Sequence, residues 1–194
     1  MSDTTRELPP RIGLVAWSAG DLGLLRRSNA PEMTEHLGGP ESEEKVLSRH
    51  ARYTAMSARP ATEGRMFKVV LADTGEAVGS VGYWPHMSQG AEAYETGYGI
   101  LPEFRGRGLA VAALRAVVAE ARAAGGPRTL HAYPSVDHAA SNATCRGAGF
   151  VCAGEVAFEY PPGTPIRSHD WWTELGDGVG PDGLGPDGVS PAAC

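Results

Sequence analysis

Cysteine is scarce in this chain of 194 residues: Cys145, Cys152 and Cys194 are the only three, with no C-x-x-C pair and no Cys/His cluster at metal-ligand spacing. Neither a bound metal nor a disulfide framework is suggested, and reduced thiols fit such usage. No apolar run approaches the roughly 20 residues a membrane-spanning helix needs, so no membrane partner is expected. The opening MSDTTRELPP lacks the basic-then-apolar order of a secretory signal, which makes a cytoplasmic location the expectation. Basic residues are outnumbered, 17 Lys and Arg against 23 Asp and Glu, for a formal net charge of −6. Nucleic acid is therefore excluded as a partner, because phosphate neutralisation needs clustered Lys and Arg. A mild acidic excess suits a cationic substrate instead.

What is present has an ordinary globular balance, 42% hydrophobic and 21% charged, in a length suited to one domain. Residues 1–10 are expected to be flexible. From Gly176 the chain reads GDGVGPDGLGPDGVSPAAC, repeating Gly-Pro-Asp-Gly at 180–183 and 185–188. Such a stretch has too little apolar mass to offset its ordering entropy, so 176–194 is expected to be a disordered tail and 11–175 the domain.

Within that domain RIGLVAW (11–17) reads as a strand. Ser18 and Asp21 mark the start of a short helix through Asn29, and residues 31–37 suggest another turn or two. Apolar or aromatic positions at Val46, Leu47, His50 and Tyr53 recur at three-and-four spacing, which predicts an amphipathic helix ending before Arg59-Pro60. MFKVVLAD (66–73) and AVGSVGYWP (77–85) form a hairpin around Thr74-Gly75, and YWPHMSQG follows as a loop. AYETGYGIL (93–101) is a third strand, with Tyr94, Thr96 and Tyr98 on one face and Glu95, Gly97 and Gly99 on the other. Val111, Leu114, Val118 and Ala121 define a helical stripe stopping at Gly125-Gly126-Pro127. A strand (128–133), a short helix closing on Gly147 and Gly149, and strands at 150–160 and 167–175 complete a mixed α/β fold around a mostly antiparallel sheet.

Between the third strand and the long helix lies LPEFRGRGLA (101–110). Amides at a helix N-terminus have no intrahelical partner, the helix dipole adds positive charge there, and glycines at 106 and 108 let an anion approach. Arg105 and Arg107 reinforce the corner. A phosphate is the natural ligand. A P-loop is excluded because no Lys-Ser or Lys-Thr follows, and a dinucleotide fingerprint because Val111 stands at its third glycine.

The order strand, R-G-R-G-L-A, helix, strand, then a helix ending Gly-Ala-Gly-Phe resembles the GCN5-related N-acetyltransferases (GNAT). Arg105, Gly108 and Ala110 match that family's pyrophosphate pattern, and Ala140-Ser141-Asn142…Gly149-Phe150 its second motif. Within the family the chain looks similar to ribosomal-protein N-terminal acetylases and antibiotic-modifying enzymes. The resemblance covers about residues 11 to 175. It implies the GNAT fold, a mixed, mostly antiparallel sheet flanked by helices, with splayed strands forming an acetyl-CoA cleft. It also implies that the 93–101 strand splays at a bulge, freeing backbone at Tyr98, Gly99 and Ile100 to pair with the pantetheine arm. The corner from Arg105 through Gly106, Arg107, Gly108, Leu109, Ala110 and Val111 would hold the diphosphate. His138 stands where many relatives have a CoA-touching asparagine, and Asn142, one helical turn on, is its possible substitute. Cys145 stands where many relatives have the tyrosine that protonates the leaving thiolate.

The chemistry requires a neutral amine, held in place, and donors for an oxyanion. Glu95 is the first candidate for general base; Tyr133, His131 and His86 are further candidates. Tyr83, Trp84, Tyr98, Trp171 and Trp172 are candidate walls for the acceptor. The expected activity is direct acetyl transfer from acetyl-CoA, in a ternary complex, to a primary amine of a small molecule or a protein N-terminus, by a monomer or homodimer. A CoA-binding sensor without catalysis and an acyltransferase using a different acyl-CoA are the alternatives.

Overall fold

Apolar residues alternate along the strands, and the sheet they build is continuous through seven of them. The computed structural model describes residues 11–160 and 163–176; the expected flexible N-terminus and the tail beyond Gly176 lie outside the described residues. Strand β1 (Ile12–Ala16) leads through a 3-10 turn into helices α1 (Leu22–Ser28) and α2 (Pro31–Thr34), then α3 (Glu43–Ser57). Strands β2 (Arg65–Leu71), β3 (Ala77–Ser88) and β4 (Ala91–Ile100) follow, then α4 (Leu109–Ala124), β5 (Thr129–Ala132), α5 (Ala139–Ala148), β6 (Val151–Glu159) and β7 (Pro165–Glu174). The spatial order is β1-β2-β3-β4-β5-β7-β6. β4 and β5 run parallel, joined by α4 as the crossover that a parallel pair requires, and the remaining neighbours are antiparallel.

Local chemistry explains the boundaries. Ser42 caps α3, its hydroxyl accepting from the Lys45 amide, and Glu43 and Glu44 in the first turn complement the helix dipole. Helix α4 is alanine-rich and turns Leu109, Ala113, Leu114, Val117 and Ala121 onto the sheet, where they are fully buried with Val69, Val78, Val81 and Leu130.

Three expectations are corrected. Residues 86–88 are strand rather than loop, and β4 already starts at Ala91: β3 and β4 pair without interruption from Gly79↔Ile100 to Ser88↔Ala91. The turn is Gln89-Gly90, both with positive φ, the geometry a two-residue hairpin turn favours. The same unbroken register shows no bulge in β4 on its β3 side. Cys152 is disulfide-bonded rather than a reduced thiol, whereas Cys145 is free and buried. No helix among the described residues is long and apolar enough to cross a membrane.

Candidate active site

β4 separates from β5 within the sheet. The two strands are in register at Tyr94↔Leu130 and Glu95↔His131 and no further, which leaves Thr96–Ile100 without a partner on that side. A cavity of about 1020 Å³ opens along this unpaired run, lined by Glu95 to Ile100, by the corner before α4, and by the turn from β5 into α5.

The corner is built by two left-handed glycines, Gly106 (φ 75°) and Gly108 (φ 73°), the latter the N-cap of α4. The first amide of α4 with a backbone acceptor is that of Ala112, which donates to the Gly108 carbonyl; among the described residues those of Gly106 to Val111 have none outside the helix. These amides, the dipole and the missing Cβ atoms fit a diphosphate. Gly106, Gly108, Leu109, Ala110 and Val111 line the cavity, as do Tyr98, Gly99, Ile100, Arg105 and His138.

Two expected cofactor residues are placed elsewhere. Arg107 does not line the cavity; it donates to the Glu103 carbonyl and lies over the Phe104 ring, 5.4 Å from its centroid. Asn142 is buried and its amide is saturated. Its Nδ2 donates to the carbonyls of Ser135 and His138, and its Oδ1 accepts from Trp171 Nε1 and His169 Nδ1, both at 2.8 Å. No group of Asn142 is left for a ligand. Its helical spacing carried no sign that two strand side chains would claim it.

The stretch 31–37 contributes more than its sequence signalled. Arg105 donates to the carbonyls of Ile100 and Glu32 and to Met33 Sδ, and His36 stacks on His138 with ring centroids 4.1 Å apart. Arg105 is thus held against this segment, and the corner's amides are the groups open to an anion. Burial, with His36 and Arg105 nearby, holds the His138 imidazole below its ordinary value.

At the far end of the unpaired run, Glu95 projects into the cavity. Burial lifts its carboxyl up to about 7, against the neighbouring Trp84, which favours the charged form. Its Oε2 lies 3.2 Å from His86 Nδ1. Tyr133 also lines the cavity, stacked on Phe158 at 4.6 Å, and burial pushes its phenol up to about 12. It is therefore a hydrogen-bond donor at neutral pH, not a base. His131 is turned away from these roles, buried against Asp170 with Nδ1 2.7 Å from Oδ1. Of the candidate aromatic walls, Trp84 and Tyr98 line the cavity. Tyr83 is core, its hydroxyl on the Ala61 carbonyl, and Trp171 is buried against Asn142. Trp172 stacks with His131 instead.

A phenol does stand beside Cys145, but from another element. Tyr98 Oη lies 3.4 Å from Cys145 Sγ, 2.8 Å from Ser141 Oγ and 3.1 Å from the Ser141 carbonyl. Burial pushes the Cys145 thiol up to about 11. At neutral pH such a thiol is held protonated, the opposite of an activated nucleophile.

With the geometry established, comparison with known proteins places the chain. Residues 11–151 match the model of the acetyltransferase (GNAT) domain, and the chain belongs to that family of acetyltransferases. Solved structures share the fold at low identity. A ribosomal L7/L12 alpha-N-protein acetyltransferase, RimL, in complex with coenzyme A is 18% identical with a TM-score of 0.67, over 84% of this chain and 93% of that one. The spermidine N-acetyltransferase of Vibrio cholerae, with CoA and spermine, is 17% identical at 0.67, over 84% and 95%. The microcin C7 self-immunity acetyltransferase MccE, with acetyl-CoA and AMP, is 15% identical at 0.67, over 84% and 92%. No curated protein matches the chain in sequence.

Proposed function

We propose that this acetyltransferase moves the acetyl group of acetyl-CoA to a primary amine, on a small molecule or a protein N-terminus, by direct attack in a ternary complex. The observation that carries this reading is the end of the β4–β5 pairing at Glu95: one unpaired strand edge has a corner of free amides at one end and a half-buried carboxylate at the other. Tyr98, Gly99 and Ile100 offer backbone groups to the pantetheine arm, and an N–H of the same run serves the oxyanion. Glu95 takes a proton from the amine as its lone pair attacks the thioester carbon. As the C–N bond forms and the C–S bond breaks, the Tyr98–Ser141 hydroxyl pair donates a proton to the departing sulfur. Phenol burial keeps Tyr98 protonated for that task. Among the structural neighbours, a protein N-terminus and a polyamine are named as acceptors, and both are amines.

The test is thermal shift against acetyl-CoA, then free-thiol release on the same sample with a panel of amines. Stabilisation with thiol release dependent on one amine class is the expected result. Stabilisation without turnover on any amine would favour the sensor reading, and no stabilisation at saturating cofactor would overturn the site.

A further inference from the structure

The face of β4 turned to the cavity reads Glu95, Gly97, Gly99, so beyond the carboxylate the unpaired edge is bare backbone. Both bare positions are covered, by different means. Over Gly99 lies the flexible end of Met33: a Cβ there would stand 3.3 Å from its methyl carbon. Over Gly97 lies the indole of Trp84, where a Cβ would stand 2.8 Å from Cη2 and under 4 Å from Cζ2 and Cζ3. Trp84 is Glu95's register partner on β3, so its ring leans diagonally along the sheet from the base to the next bare residue. The ring is planar, carried on a strand and set against Gly97, which leaves it little freedom to give way.

This inference rests on the acetyl-CoA reading. A pantetheine arm laid along Thr96–Ile100 from the corner brings its thioester toward Gly97, next to Glu95, and the acyl group then meets the indole. We propose that Trp84 is the acyl-length gate of the enzyme: its ring closes the acyl end of the cleft at Gly97, admits a two-carbon acyl group and excludes longer chains. The bond changes are those of acetyl transfer; the acyl group alone differs. Gly97 is a glycine for the same reason, since any side chain there would occupy the space of the ring.

Calorimetric binding of free CoA, acetyl-CoA, butyryl-CoA and hexanoyl-CoA to the full chain tests this without an amine. The unmodified protein is expected to bind acetyl-CoA about tenfold or more tighter than hexanoyl-CoA, since overfilling a packed site is costly. Trp84→Ala is expected to erase that preference. Trp84→Phe keeps a ring but removes the indole N–H, and is expected to retain the preference. This arm separates ring bulk from the polarity of the indole. Should Trp84→Ala fail to fold, Trp84→Leu is expected to move the limit to butyryl-CoA. Equal binding of acetyl-CoA and hexanoyl-CoA by the unmodified protein, or an unchanged preference in Trp84→Ala or Trp84→Leu, would overturn the gate. Failure of free CoA itself to bind would instead overturn the underlying reading, and the gate with it.

Discussion

Glu95 Oε2 lies 3.2 Å from His86 Nδ1, and burial moves the two groups in opposite directions. The carboxyl is raised to about 7, while burial and the neighbouring His131 hold the imidazole below its ordinary value. Near neutral pH the Glu95 carboxyl is therefore only partly ionised. A base must be ionised to act, so kcat/KM for acetyl transfer is expected to rise through about pH 7. Glu95→Gln should remove that limb and lower kcat by about a hundredfold or more. A pH profile shared by the variant and the parent would remove Glu95 from the chemistry.

The same group bears on stability with the opposite sign. Its folded-state pKa lies above the ordinary carboxyl value of about 4.5, so burial favours the neutral form. Its stabilising contribution is fully present below about pH 4.5 and is lost as the pH rises through about 7. The difference in urea midpoint between parent and Glu95→Gln should change across that window and be flat above it.

The corner predicts a loss confined to binding. Gly108→Glu places a side chain at φ 73°, a conformation costing roughly 1 kcal/mol, and sets a carboxylate among amides reserved for a diphosphate. Stabilisation by acetyl-CoA in a thermal shift should disappear while the fold survives. Retained stabilisation would move the diphosphate elsewhere.

Asn142 predicts the converse. Asn142→Leu takes the acceptor from buried Trp171 Nε1 and half-buried His169 Nδ1, while the Ser135 and His138 carbonyls keep the backbone amides of His138 and Asn142, at a cost of about 2 kcal/mol. The expected outcome is a melting temperature lower by several degrees with CoA affinity per folded molecule unchanged. A loss of affinity without loss of stability would restore Asn142 to the cofactor site.

Tyr98→Phe removes the hydroxyl that reaches Cys145 and Ser141 while keeping the ring. Transfer to an amine should slow about tenfold or more, with acetyl-CoA binding intact. Cys145→Ala, by contrast, should leave transfer running, and its abolition would point to an acyl-cysteine route instead.

The corner was legible because its signal is local: glycines, arginines and a helix start within ten residues determine both shape and charge. The amphipathic helices were legible for the same reason. The extension of the β3–β4 hairpin was not. Pro85, His86 and Ser88 carry turn chemistry, and only pairing across the hairpin makes strand of them, leaving Gln89-Gly90 as the turn. The contact between Tyr98 and Cys145 spans 47 residues and joins a strand to a helix, so no spacing rule could announce it. Likewise, residues 31–37 hold no periodicity that foretells Met33 over Gly99 or His36 on His138.

The seven strands form one sheet on paper, yet two register pairs, Tyr94↔Leu130 and Glu95↔His131, are the seam between β1–β4 and β5–β7–β6. The seam is the sheet's shortest pairing, the two sides otherwise joined through the shared core under α4, and a molecule laid along Thr96–Ile100 would extend it. Cofactor occupancy should then read out as cooperativity: amide exchange on the two sides more weakly linked without it, and slowed together once the cleft is filled.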